Sequence, residues 1–168
     1  MSGMRRHLHL ALAAPLLLSS GACGDPVNVN GSYTVALTNG ANGCGFQNWR
    51  EGDTAQGVPL SITQNGAEVS GVVGNSPAAL LLLAALGSST FAGSVSGSRL
   101  DLWIYGTRPS TKGSCSYTLN AHVSASLSGD FLAGSIDYLT STNGSPDCGT
   151  LTGCKTTQQL NGTRPPTR

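Results

Sequence analysis

The chain carries little charge and few aromatic residues. Charged residues make up 10% of the 168 positions and aromatic residues 5%, and nine basic residues nearly balance eight acidic ones. A chain without a basic excess lacks the electrostatic footprint of a nucleic-acid-binding protein. Histidine is also scarce, and only His122 lies beyond the first 22 residues. We therefore expect no catalytic triad, no metal site, no cofactor and no enzymatic activity.

The N-terminus has the pattern of an export signal. Arg5 and Arg6 precede an apolar stretch over residues 8–18 that is too short to span a bilayer, which predicts a signal peptide over residues 1–22. The following "LSSGAC" ends at Cys23 and resembles the lipobox of bacterial lipoproteins. That resemblance implies a lipid on Cys23, which would anchor the chain to a membrane of the cell envelope, facing the periplasm or the cell exterior. Ordinary cleavage after Ala22 is the alternative.

The remaining cysteines form an even set. If Cys23 carries a lipid, Cys44, Cys115, Cys148 and Cys154 are left, which suits two disulfides in an oxidising compartment. Their spacing lacks the paired Cys-x2-Cys ligands of zinc sites. We expect the pairs Cys148–Cys154 and Cys44–Cys115, while the two other pairings stay open.

Alternating apolar and polar residues predict β-strands after a tether over residues 23–30. Three X-Gly pairs, each flanked by alternating segments, predict hairpins with two-residue turns at Asn65-Gly66, Ser96-Gly97 and Ser128-Gly129. With a first strand near 32–38 and a last near 157–163, the count is eight. We predict an all-β domain over residues 31–164, an eight-stranded antiparallel up-and-down barrel, followed by a tail over 165–168. A two-sheet β-sandwich is the alternative fold.

The pattern also predicts which side chains face inward. Leu60, Leu100 and Val123 share the apolar face of the ribbon, whereas His122 lies on the outer face, where we expect no carboxylate behind it. Inward glycines such as Gly93 and Gly134 are expected to mark bends that help a sheet close.

The two ends of the predicted domain carry short motifs. "NGSY" places Gly31 and Tyr33 at the start of the first strand, and "NGTR" places Arg164 at the end of the last one. Both resemble the corresponding ends of the lipocalin-like calycin barrels, in which Trp is usual where Tyr33 stands. The resemblance implies the same strand plan.

The leucine-rich stretch at residues 75–89 predicts a short helix between the third and fourth strands. Ser76 suits the N-cap, Pro77 the first helical position, and Gly87 the residue after the last turn. In a meander this helix lies at the end that carries the longer loops and the cysteines. Its leucines either plug the barrel or form a lid over a cavity. The side chains expected to contact a ligand are those of Leu80, Leu83, Phe91, Leu102 and Tyr138.

Two functional hypotheses follow. The first is an exported, lipid-anchored, non-enzymatic barrel that binds a small apolar ligand in its interior. The alternative is an envelope lipoprotein with a filled core, whose disulfide-stiffened loops contact another protein. Neither hypothesis involves nucleic acid.

Overall fold

The fold is a single antiparallel sheet closed on itself. The computed structural model describes residues 26–166. The expected signal peptide and the expected lipidation of Cys23 lie outside the described residues. The strands are β1 (Gly31–Asn42), β2 (Thr54–Asn65), β3 (Glu68–Val73), β4 (Thr90–Ser96), β5 (Arg99–Ile104), β6 (Ser110–Lys112), β7 (Cys115–Ser128), β8 (Phe131–Thr142) and β9 (Lys155–Thr163). A helix, α1 (Pro77–Leu86), connects β3 to β4, and a 3₁₀ helix (Pro146–Leu151) connects β8 to β9.

Closure uses eight of these strands. Each of them pairs with its neighbour in the chain, β1 also pairs with β9, and β5 pairs with β7 across the short β6. The three-residue β6 pairs with the start of β7 and is not one of the eight strands that close the barrel. The predicted eight-stranded antiparallel meander is confirmed, and the sandwich alternative is wrong. Within residues 26–166, closure leaves no long unpaired strand edge exposed.

The alternation of side chains is also confirmed. Along β2, Val58, Leu60 and Ile62 are buried while the residues between them are exposed. Leu100 on β5 and Val123 on β7 are likewise buried. Because successive side chains of a strand point to opposite faces, these residues form a continuous apolar interior.

The three tight turns differ from the prediction by one position. Their central residues are Gly66-Ala67, Gly97-Ser98 and Gly129-Asp130, because Asn65 pairs with Glu68, Ser96 with Arg99 and Ser128 with Phe131. The first glycine of each turn has φ near +60°, at 60°, 55° and 59°, which is typical of type II′ turns.

Because the turns are shifted by one position, the strand pairing differs from the prediction, but each side chain still faces the predicted side of the sheet. Ile62 is opposite Gly71 instead of the expected Val69, a slip of two residues. Side chains alternate with a period of two, so an even slip changes every partner and leaves every facing direction intact. The facing directions predicted from sequence therefore survive wrong pairings.

Two of the glycines expected to face inward are required by close strand approach. A Cβ on Gly93 would overlap the carbonyl oxygen of Asp101, and one on Gly134 would overlap that of Ser124. No side chain fits at either position unless the neighbouring strand moves. Close approach of the neighbouring strand therefore accounts for both glycines, and the expected bends at these positions stay a prediction.

The end with the tight turns is a packed floor. Residues 26–30, expected to belong to the tether, lie against this end: the Val27 amide donates to the Gly97 carbonyl at 2.9 Å, and Val29 is fully buried. Arg164 donates to the backbone carbonyls of Asn28 and Asn30 at 3.0 and 2.7 Å. Its guanidinium also lies 5.6 Å from the centre of the Tyr33 ring. The two terminal motifs thus meet at the floor. The eight-stranded antiparallel barrel is compatible with a lipocalin-like fold.

The opposite end carries all the longer connections. The β1–β2 loop, α1, the β5–β7 segment and the 3₁₀ helix lie there, as the meander predicts. Among the described residues, no helix has the length and apolarity needed to cross a membrane.

Candidate functional site

The barrel interior contains a cavity of about 520 Å³. This volume falls within the range typical of sites for small molecules, about 300 to 1,000 Å³. Residues from all eight strands that close the barrel line it. Near the floor these include Leu100, Ala125 and Leu132, and midway Leu60, Leu102 and Val123. The interior is therefore a hollow, not a core filled by side chains.

Helix α1 forms one side of the mouth. The hydroxyl of Ser76 accepts a hydrogen bond from the Ala79 amide at 3.2 Å, and Gly87 ends the helix with φ of 84°. These are the predicted caps. Only Ala79, Leu82 and Leu86 are buried, because one face of a ten-residue helix can reach the barrel.

Several leucines of α1 are not covered by the barrel. Leu80, Leu81 and Leu83 are 62%, 71% and 41% exposed. Leu81 also lines the cavity, so the opening to solvent lies beside the helix. Helix α1 covers part of the mouth and does not fill the interior.

The other side of the mouth is the β1–β2 loop. Phe46 and Trp49 line the cavity there, and their rings meet edge to face at 6.1 Å. The indole of Trp49 donates to the Gly40 carbonyl at 2.8 Å and packs edge to face against Tyr138 at 6.0 Å. This aromatic wall is fixed by hydrogen bonding as well as by packing.

The predicted ligand contacts divide into two groups. Phe91, Leu102 and Tyr138 line the cavity. Leu80 and Leu83 lie outside the lining, on the exposed side of α1. On a helix, side chains three and four positions apart lie on the same face. The face of α1 that lines the cavity carries Ala78, Leu82 and Ala85, and not Leu80 and Leu83.

A small polar cluster interrupts the apolar lining near the mouth. The Gln158 amide donates to Oδ1 of Asn39 at 2.7 Å, and the Tyr138 hydroxyl donates to Oε1 of Gln158 at 2.8 Å. These residues belong to the adjacent strands β1, β9 and β8. Burial raises the pKa of Tyr138, so its hydroxyl stays protonated.

Sequence reasoning missed Asn39, Gln158, Phe46 and Trp49. The alternation of β1 carries the inward series Val35, Leu37 and Asn39, so the phase of the strand would have placed Asn39 inside. Gln158 follows likewise from its spacing to Leu160. For the loop residues Phe46 and Trp49 there is no such periodic signal.

The disulfides confirm the cysteine count and correct the pairing. Cys44 pairs with Cys154 and Cys115 with Cys148, so the expected pairs Cys148–Cys154 and Cys44–Cys115 are wrong. Barrel closure is the reason. Cys44 follows β1 and Cys154 precedes β9, and these strands are neighbours, with the Gly43 amide donating to the Lys155 carbonyl at 3.1 Å.

Both disulfides lie at the end of the mouth, where they form a second small core with Leu151, Phe46 and Tyr117. Since Phe46 belongs to this core and also lines the cavity, the disulfides hold one wall of the mouth in place. Two disulfides are typical of proteins in an oxidising compartment.

The outer face holds a different arrangement. Trp103 stacks on Tyr105 at 5.4 Å and on His122 at 4.1 Å. Nε2 of His122 lies 3.1 Å from a carboxylate oxygen of Asp101, so the expectation that no carboxylate lies near this histidine is wrong. The Asp101 side chain is 62% exposed, and the pair lies on the outside of the barrel, away from the cavity. Within residues 26–166, no group of three or more His, Cys, Asp or Glu side chains is positioned to hold a metal ion.

The fold and the site together define a closed eight-stranded antiparallel barrel with an apolar interior that opens at one end. No protein-family model, curated protein or solved structure matches the chain.

Proposed function

We propose that this chain is an exported lipoprotein, anchored through a lipid on Cys23, whose barrel binds a small apolar ligand in its interior without transforming it. The observation that carries the proposal is the cavity of about 520 Å³, lined almost wholly by aliphatic and aromatic side chains. Such sites bury most of a small ligand and use few polar groups to orient it.

The apolar lining supports the same reading. Water in a chamber lined mainly by aliphatic and aromatic side chains finds few hydrogen-bond partners, and an apolar ligand that displaces it removes apolar surface from water.

The position of the N-terminus suits an anchor. Val27 is fixed to the floor through its bond to Gly97, and only four residue steps separate it from Cys23, which span at most about 14 Å. A lipid on Cys23 would therefore hold the floor close to the membrane. The mouth would point away from it.

The absence of catalysis is inferred from the polar groups of the cavity. They are carboxamides, a phenol and an indole, none of which is a strong base or nucleophile at neutral pH.

A second candidate function is that of an envelope protein that contacts another protein through its loop-bearing end. The observation in its favour is the exposure of Leu80, Leu81 and Leu83, which lie together beside the mouth. It predicts no uptake of a small apolar molecule.

Uptake of diphenylhexatriene, an uncharged hydrocarbon dye that fluoresces in apolar surroundings, tests the proposal. The full chain with Cys23→Ser avoids interference from its own lipid. We expect saturable fluorescence with about one dye per chain. No saturable uptake by the folded protein would refute the ligand-binding function and favour the second candidate.

A matched pair of variants locates the dye. A Cβ on Gly71 would point into the cavity between Leu60 and Leu102, so Gly71→Phe should fill part of it and weaken uptake at least tenfold. Val72→Phe, at the outward-facing neighbour, should leave uptake unchanged. Thermal unfolding of both variants checks that they fold. Equal uptake by folded Gly71→Phe and Val72→Phe would place the dye outside the barrel.

A further inference from the structure

The cavity is apolar except near its mouth, where Gln47 and Asn48 of the β1–β2 loop also contribute polar side chains. Its floor and middle are lined by side chains such as Leu100, Leu132 and Leu60, which offer no hydrogen bond. Near the mouth, Asn39, Gln158 and Tyr138 bring carboxamide and phenol groups to the same surface. A molecule lying along the cavity would therefore have one end in hydrocarbon and the other against these three residues.

The hydrogen bonds within the cluster run in one direction. Tyr138 donates to the oxygen of Gln158, and the nitrogen of Gln158 donates to the oxygen of Asn39. Both carboxamide oxygens are thus engaged. Within residues 26–166, the Nδ2 group of Asn39 and the second N–H of Gln158 have no protein acceptor. The cluster therefore has N–H groups that can donate to an oxygen acceptor in the cavity.

No charged side chain lines the cavity among the described residues. An ionised head group held by the cluster would lose part of its hydration without gaining a counter-charge, which is unfavourable. A neutral oxygen acceptor, in contrast, exchanges its hydrogen bonds to water for bonds to Asn39 and Gln158.

We propose that the ligand is an uncharged amphiphile, an apolar chain with an oxygen-bearing head group such as an alcohol, ester or amide, whose head is bound by Asn39 and Gln158. The chain extends toward Leu100 and Leu132 at the floor. Ionised fatty acids are discriminated against. This inference rests on the proposed binding function and names the ligand class of the same site.

Displacement of diphenylhexatriene from the full chain carrying Cys23→Ser tests the inference. The competitors are 1-decanol and decanoate, which share a chain length and differ in the charge of the head. At pH 7.5 we expect 1-decanol to displace the dye at a concentration at least tenfold lower than decanoate. Equal or better displacement by decanoate would overturn the inference while leaving dye binding, and hence the proposed function, intact.

Variants assign the preference to the polar cluster. Asn39→Leu and Gln158→Leu should weaken displacement by 1-decanol about tenfold and leave uptake of the hydrocarbon dye unchanged. Gln159→Leu, at the neighbouring position of β9 that is not in the cavity lining, is the control and should change neither quantity. If 1-decanol displaces the dye equally well from folded Asn39→Leu, Gln158→Leu and Gln159→Leu proteins, the head group does not lie at the cluster.

Discussion

Gly71 and Gly134 are both glycines within barrel strands, but alanine at the two positions should have opposite effects on stability. A Cβ on Gly71 would lie 3.6 Å from methyl carbons of Leu60 and Leu102, which is ordinary van der Waals contact. A buried methyl group contributes about 0.8 kcal/mol, and loss of glycine's freedom in the unfolded chain adds about 0.4 to 1 kcal/mol. Gly71→Ala should therefore stabilise the fold by about 1 to 2 kcal/mol.

Gly134→Ala should destabilise it. The new Cβ would overlap the carbonyl oxygen of Ser124 and the Cα of Ala125, both of which belong to the paired strand β7. Backbone atoms cannot move aside as a flexible side chain does, so β7 and β8 would have to separate locally. Overpacking of this kind costs about 1 to 3 kcal/mol.

Guanidinium unfolding of the two variants and the parent, with the disulfides intact, measures both effects. The expected difference between Gly71→Ala and Gly134→Ala is about 2 to 5 kcal/mol, the sum of the two contributions. If Gly71→Ala is destabilising, or if the two variants are equally stable, the space beside Gly71, between Leu60 and Leu102, does not exist in solution.

Three further predictions concern the anchor, the floor and the mouth. Cys23→Ser should abolish incorporation of labelled fatty acid when the full chain is produced in a bacterium, and retained label would contradict lipidation of Cys23. Arg164→Met removes the ion pair with Asp130, 3.0 Å away, and two hydrogen bonds to backbone carbonyls. It should lower the free energy of unfolding by roughly 2 to 4 kcal/mol. The control is Arg99→Met at an exposed position, and an equally small loss for both variants would show that the floor does not depend on Arg164. Because burial raises the pKa of Tyr138 above its ordinary value near 10, the folded state holds this proton more tightly than the unfolded chain. The contribution of this protonated hydroxyl to stability is full below about pH 10 and declines at higher pH. The free energy of unfolding of Tyr138→Phe should therefore decline less steeply above about pH 10 than that of the parent. An unchanged slope would contradict this.

The facing of side chains was predictable from sequence because it depends on a local period. Leu60, Leu100 and Val123 occupy alternate positions of their strands, and no knowledge of strand partners is needed to place them on one face. The helix was predictable for a similar reason. Ser76 and Gly87 are local capping signals that act whatever lies around them.

The strand register and the disulfide pairing were not predictable, because the local sequence is compatible with more than one turn position and more than one cysteine pairing. A glycine can take the first or the second central position of a tight turn, and Gly66 takes the first. Cys44 lies beside Cys154 because closure brings β1 next to β9, although the two cysteines are 110 positions apart. Spacing along the chain favours near neighbours and misses this contact.

The cavity itself was the least predictable feature. Its volume depends on how far apart the walls stand, which the apolar pattern does not specify, since the same side chains can fill a small barrel or line a wider one. The polar cluster combines three strands, and only closure brings Asn39 of β1 next to Gln158 of β9.

The packed floor makes the interior a blind-ended chamber. Val29, Tyr33, Val95 and Leu127 are buried at that end, and none of them lines the cavity. A ligand bound as proposed would therefore enter and leave through the mouth beside α1. Its exchange rate would depend on the width of that single opening.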